Sequence, residues 1–111
     1  MISAPKRYEI YLVRLDPIEG SEIGKTRPCV VISDDMRNQC LKTVVICPIT
    51  SQLREDWRCR LRIRCGVREA DIAVDQIRTV NKSRLVKKID RLKPNGAQLL
   101  RELVVEMYGS A

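Results

Sequence analysis

The chain contains no histidine. That removes Ser-His-Asp and Cys-His nucleophile systems, HExxH zinc sites and Cys2His2 fingers, and any imidazole acid–base pair. Catalysis, if present, must run on carboxylates, Arg, Lys, hydroxyls or thiols. Phenylalanine is also missing, and Trp57, Tyr8, Tyr11 and Tyr108 are the only aromatics, which argues against a nucleic-acid binder built on an aromatic platform. Cys29, Cys40, Cys47, Cys59 and Cys65 form no CxxC pair, so neither a zinc motif nor a dithiol redox motif is expected. Cys29, Cys47 and Cys59 lie in or beside apolar runs and read as small buried hydrophobes in a reducing compartment. Cys40 reads as exposed. No apolar stretch approaches the ~20 residues of a membrane-spanning helix, and MISAPKRYEIYLV lacks a secretory apolar core. The expectation is a cytoplasmic protein with no membrane partner, no metal and no cofactor.

What remains is a chain of 111 residues, read as a single domain over 1–111, with 21 Lys plus Arg against 14 Asp plus Glu, a net charge of +7. Such a chain buries about two-thirds of its extended surface on folding, enough for one modest core. The charge favours a polyanion, an acidic protein or an anionic surface as partner.

Short strands come first and one helix last. Tyr8–Leu15 is rich in β-favouring residues. Arg27–Ser33 and Leu41–Ile49 are apolar runs, joined by a polar connection over Asp34–Cys40. Asp16, Pro17 and Gly20 open a polar loop that reaches Thr26, and Thr50–Asp56 is a second. Arg58–Arg64 alternates cleanly, Ile72–Asp75 and Ile77–Val80 are two short strands or one bent one, and Leu85–Leu92 fits a strand or a helical turn. From Pro94 the period changes: Leu100, Leu103, Val104 and Met107 recur at helical spacing, with Leu99 widening the stripe. Pro94 suits a first turn and Gly109 a stop. The pattern predicts a mostly antiparallel small β-barrel with a C-terminal helix over one end.

Two features point toward chemistry. Arg58, Arg60, Arg62 and Arg64 alternate with Cys59, Leu61, Ile63 and Cys65, so a strand would set all four guanidinium groups on one face over roughly 20 Å. That face is open to two readings, a polyanion or acidic-peptide contact or a solvated edge protected by charge. The other feature is the segment from Asp16 to Pro28, with Pro48-Ile49-Thr50-Ser51 further on. Breaking an RNA chain without a metal requires a group to take the 2′-hydroxyl proton and groups to stabilise charge on phosphorus. A carboxylate such as Glu22 does the first. Arg27 clamps phosphate oxygens, and the Thr50 hydroxyl adds a hydrogen bond.

These residues carry a resemblance. Asp16-Pro17, Gly20-Ser21-Glu22, Gly24-x-x-Arg27-Pro28 followed by Cys29–Ser33, Pro48-Ile49-Thr50-Ser51 and Asp75-Gln76-Ile77-Arg78 occur in that order. Over about residues 8–108 the chain resembles the MazF/PemK (Kid) toxins of type II toxin–antitoxin systems. The resemblance implies a small SH3-like barrel that forms a homodimer and cuts single-stranded mRNA at a short specific sequence, without metal, by 2′-hydroxyl attack. It also implies a cognate antitoxin whose acidic tail lies over the RNA site. Arg27 and Thr50 match the family's catalytic arginine and threonine, Glu22 an acidic loop residue, and Asp75 the base of Kid-like members. Kid-like members carry an arginine where this chain has Ala73, and a first-loop histidine that is absent here, so an Arg27/Thr50 centre is favoured. Asp75 is open to a catalytic or a turn-capping reading. Trp57, in a loop that borders the RNA groove in this family, is open to base stacking or loop pinning. Ser51, Arg58, Arg60, Arg62, Arg64, Gln76 and Arg78 complete the expected RNA contacts. The rival reading is a non-catalytic, CcdB-like poison or a plain nucleic-acid-binding module on the same barrel.

Overall fold

The structure, a computed structural model, describes residues 4–65 and 67–109; the first three residues of the N-terminal stretch, Gly66 and residues 110–111 lie outside that description. In chain order come β1 (Glu9–Arg14), β2 (Thr26–Val31), α1 (Asp35–Cys40), β3 (Thr43–Thr50), β4 (Arg60–Cys65), β5 (Arg68–Ala73), β6 (Arg78–Asn81), β7 (Leu85–Arg91) and α2 (Pro94–Tyr108). Single 3-10 turns occupy Val74–Gln76 and Lys82–Arg84.

The strands are antiparallel and ordered β4-β5-β3-β2-β1-β7, with β6 also on β3. β3 is the hinge of this sheet. One of its edges pairs β6 through Thr43–Ile46 and then β5 through Ile49–Thr50. Pro48, which has no N–H to give, sits in the gap between the two ladders. The change of partner curls the sheet into the expected barrel-like form. The curl stops short of closure, because β4 and β7 end the order without pairing each other.

Both faces of the central strands are buried, which is why their sequences are continuous apolar runs rather than alternating ones. Val30 and Cys47 join Ile10, Ile72, Val74 and Leu100 in one cluster, while Cys29, Val31, Val44 and Ile46 join Val13 and Leu15 in a second. α2 packs on the first cluster through Leu100, Leu103, Val104 and Met107. Leu99 is 51% exposed, so the apolar stripe is narrower than predicted. Pro94 stands in the first turn and the Gly109 N–H closes on the Val105 carbonyl, while the Tyr108 hydroxyl donates to the Val74 carbonyl at 2.8 Å.

Several boundaries differ from the sequence-based expectation. The polar connection contains α1, whose N-cap is the Asp34 side chain accepting from the Arg37 N–H at 2.9 Å. β4 begins at Arg60, leaving Arg58 and Cys59 in the preceding turn, and β5 ends at Ala73, leaving Asp75 in a 3-10 turn. Residues 85–91 are a strand. Burial pushes the Cys29 and Cys47 thiols up to about 12, and Cys59 is half-buried. Cys65 is exposed like Cys40.

Candidate functional site

The loop between β1 and β2 is shaped by its own carboxylates. Asp16 Oδ1 accepts the Lys25 N–H at 2.9 Å, drawing the carboxylate across residue 24. A Cβ on Gly24 would lie 2.5 Å from that oxygen and 2.8 Å from Ile18 Cδ1, so any side chain there must push the Asp16 carboxylate or Ile18 aside. Gly20 turns the tip at φ +54°, and Glu22 Oε1 caps it by accepting the Glu19 N–H at 2.7 Å. The rest of the fold grips the loop from below. Gln76 Oε1 accepts the Ile23 N–H at 3.2 Å, Arg78 donates to the Leu15 carbonyl at 3.1 Å, and Arg84 donates to the Arg14 carbonyl at 3.0 Å.

This grip sets Glu22 over the turn after β5, and Glu22, Asp75, Gln76, Ile77 and Arg78 line one open cleft of about 350 Å³. Arg27 and Thr50 stand on neighbouring strands. The β2–β3 ladder ends with Cys29 facing Pro48; beyond it Arg27 pairs Val13 of β1 and Thr50 pairs Asp71 of β5. Side chains alternate along a strand, so Arg27 shares the face of Cys29 and Thr50 that of Ile46, the face of the second cluster, where its apolar packing ends. Arg27 Nε donates to the Gly24 carbonyl at 3.2 Å, which leaves its terminal nitrogens as a fork. Thr50 is buried, and its Oγ accepts the Gln52 N–H at 3.1 Å, so its proton is available to donate. Ser51 is exposed beside it.

The arginine face is not uniformly positive. Arg60, its side chain 8% exposed, donates from Nε to Asp75 Oδ1 at 2.8 Å. Arg62 faces Asp71 at 2.6 Å, Glu69 at 3.1 Å and Glu55 at 3.3 Å. Its pKa is raised, first by the hydrogen bond to Asp71. Two guanidinium groups of the stripe are therefore compensated within the fold, while Arg58 and Arg64 are exposed. The register explains this: Arg62 pairs Asp71 and Arg64 pairs Glu69 across β4 and β5. Trp57, 46% exposed, has the Arg54 guanidinium 5.0 Å and the Arg60 guanidinium 4.8 Å from its ring centre.

A family model described as PemK-like, MazF-like toxin of type II toxin–antitoxin system matches residues 6–108. The chain belongs to the PemK/MazF toxin family. It is 34% identical over 95 residues to endoribonuclease EndoA of Bacillus subtilis, covering 78% of this chain and 79% of that protein. The fold superposes on crystalline MazF from Deinococcus radiodurans with a TM-score of 0.83 at 20% identity, covering 96% of this chain and 98% of that one. It also superposes on a mycobacterial endoribonuclease in complex with its cognate antitoxin, with a TM-score of 0.79 at 18% identity, covering 97% and 98%.

In this PemK/MazF toxin, the expected site residues fall into four groups. Glu22, Asp75, Gln76 and Arg78 surround the cleft; Arg27, Thr50 and Ser51 stand on adjoining strand ends; Trp57 and Arg58 stand in the loop before β4. Arg60, Arg62 and Arg64 lie on β4, and the first two turn inward to carboxylates. Sequence reasoning missed Asp71, 1% exposed. No helix of the described residues is long and apolar enough to cross a membrane.

Proposed function

We propose that this toxin is an endoribonuclease that cuts single-stranded mRNA at a short specific sequence without a metal, and that a cognate antitoxin with an acidic tail restrains it. The observation that carries the reading is the placement of Arg27 and Thr50 on neighbouring strands, β2 and β3, with Glu22 lining an open cleft from the loop that leads into β2. The 2′-oxygen attacks phosphorus and the P–O5′ bond breaks, giving a 2′,3′-cyclic phosphate and a 5′-hydroxyl. Glu22 takes the 2′-hydroxyl proton through the carboxylate oxygen that does not cap the loop. Arg27, its Nε already fixed on Gly24, presents its fork to the phosphate oxygens that gain charge. Thr50 donates its hydroxyl proton to the same group. A guanidinium with a pKa above 12 is a poor acid, so the departing O5′ takes its proton from water. Asp75, held by Arg60, shapes the cleft wall.

The antitoxin reading is supported by the mycobacterial complex among the matching structures and by the net charge of +7, which suits an acidic segment. A homodimer is part of the same proposal and is checked by sedimentation. Arg27→Ala should lower cleavage of a long single-stranded RNA by about 10² to 10³ with the fold and the oligomeric state unchanged, and wild-type cutting should persist in EDTA. Undiminished cutting by Arg27→Ala, or a strict need for divalent metal, overturns the proposal.

A further inference from the structure

Asp71 is the most deeply buried carboxylate of the described residues, at 1% exposure, and the RNA-cleavage reading gives it no task. It lies on β5 directly across from Thr50. Its Oδ2 accepts the Arg54 N–H at 2.9 Å, and its Oδ1 accepts Arg62 Nε at 2.6 Å. One residue thus pairs through its backbone with the strand that carries Thr50, while its buried carboxylate holds the backbone of the loop that follows Thr50 and β4 beyond that loop.

The loop so anchored runs from Ser51 to Cys59. It carries Trp57, half exposed, with the Arg54 and Arg60 guanidinium groups against its ring, and Arg58 exposed at its end. An exposed indole among cations suits a base stacked beside a phosphate. The distance between this surface and Thr50 decides whether an RNA can fill both at once. A carboxylate accepting a backbone N–H and a guanidinium N–H in a dry setting holds its partners strongly.

We propose that Asp71, together with Arg62, is a positioning residue that sets the Ser51–Cys59 loop against Thr50, so that nucleotides flanking the cut are bound in register with the scissile phosphate. This rests on the ribonuclease reading above. Arg62 then acts inside the fold rather than on RNA. Loss of the anchor weakens the hold on flanking nucleotides and leaves the reacting groups intact. A purely structural residue would act differently, lowering the folded fraction and with it the apparent kcat, at unchanged KM.

The test is cleavage of an oligonucleotide spanning a cut site mapped from 5′ ends, with kcat and KM measured separately and folding checked by circular dichroism. Asp71→Asn keeps the size and removes the charge. Arg62→Lys keeps the charge and removes the Nε–H, and it serves if Asp71→Asn does not fold. Each folded variant should raise KM about tenfold or more, with kcat within about twofold. The Arg54 amide should also exchange faster with deuterium than in wild type. An unchanged KM, whether or not kcat falls, overturns the positioning role while leaving the nuclease reading standing. A wild-type protein that cuts no RNA overturns both.

Discussion

The arginine face yields a numerical prediction for salt. On single-stranded nucleic acid each neutralised phosphate contributes about −0.7 to the slope of log K against log salt. If all four stripe arginines met phosphates, that face alone would contribute about −2.8. Arg60 is 8% exposed against Asp75, and Arg62 is ringed by Asp71, Glu69 and Glu55, so only Arg58 and Arg64 remain for phosphates. The contribution then falls to about −1.4, and between 50 and 200 mM salt the stripe's share of affinity drops about sevenfold rather than about fiftyfold. The assay is fluorescence anisotropy of a labelled single-stranded RNA with Arg27→Ala protein, which leaves the RNA whole. Arg58→Gln and Arg64→Gln should each flatten the slope by about 0.7. Arg62→Gln should leave the slope unchanged and lower the melting temperature, because it strands a buried carboxylate. If Arg62→Gln flattens the slope as much as Arg58→Gln, the internal pairing does not hold in solution and the argument fails.

Two further predictions concern the frame around the site. Gly24→Ala should destabilise the protein by about 1–3 kcal/mol and reduce cutting, because the new methyl displaces the Asp16 carboxylate and the loop carrying Glu22; wild-type stability in a urea titration would contradict this. Glu9 concerns pH. Burial alone would raise its pKa, but Lys88, the Lys6 N–H and the Tyr11 hydroxyl outweigh burial and hold it below its ordinary 4.5. The unfolded chain therefore binds this proton more readily, so the stabilisation is present above pH 4.5 and is lost as pH falls through the lower folded value. Glu9→Gln should cost about 1–3 kcal/mol at pH 7, with the gap to wild type narrowing as the pH falls below 4.5; a gap that widens on acidification in thermal melts refutes it.

The fold was legible because its central strands announce themselves. Runs such as Cys29–Ile32 and Val44–Ile49 are apolar without interruption, and only strands buried on both faces need that. α2 was equally plain from its period. α1 was missed because its six residues are too few to show a period, although Asp34 carried the capping signal. The motif residues were legible through the resemblance; that Glu22, Asp75, Gln76 and Arg78 share one cleft was not, because it depends on how Gln76 and Arg78 hold the loop from β6 and the turn before it. The arginine stripe looked uniformly positive because a strand read alone omits its neighbour. Register supplies Glu69 and Asp71, and no spacing within β4 encodes which residues of β5 will stand opposite.

Trp57 is the only tryptophan in the chain, and it stands with Arg54 and Arg60 against its ring at the end of the loop after Thr50. The protein therefore carries a native optical probe at a single known place. Its emission reads one local environment with no overlap from other indoles, and its partial exposure leaves it open to a soluble quencher. Occupation of that surface, by RNA or by a peptide, becomes visible in unlabelled protein, before any bond in a substrate is broken.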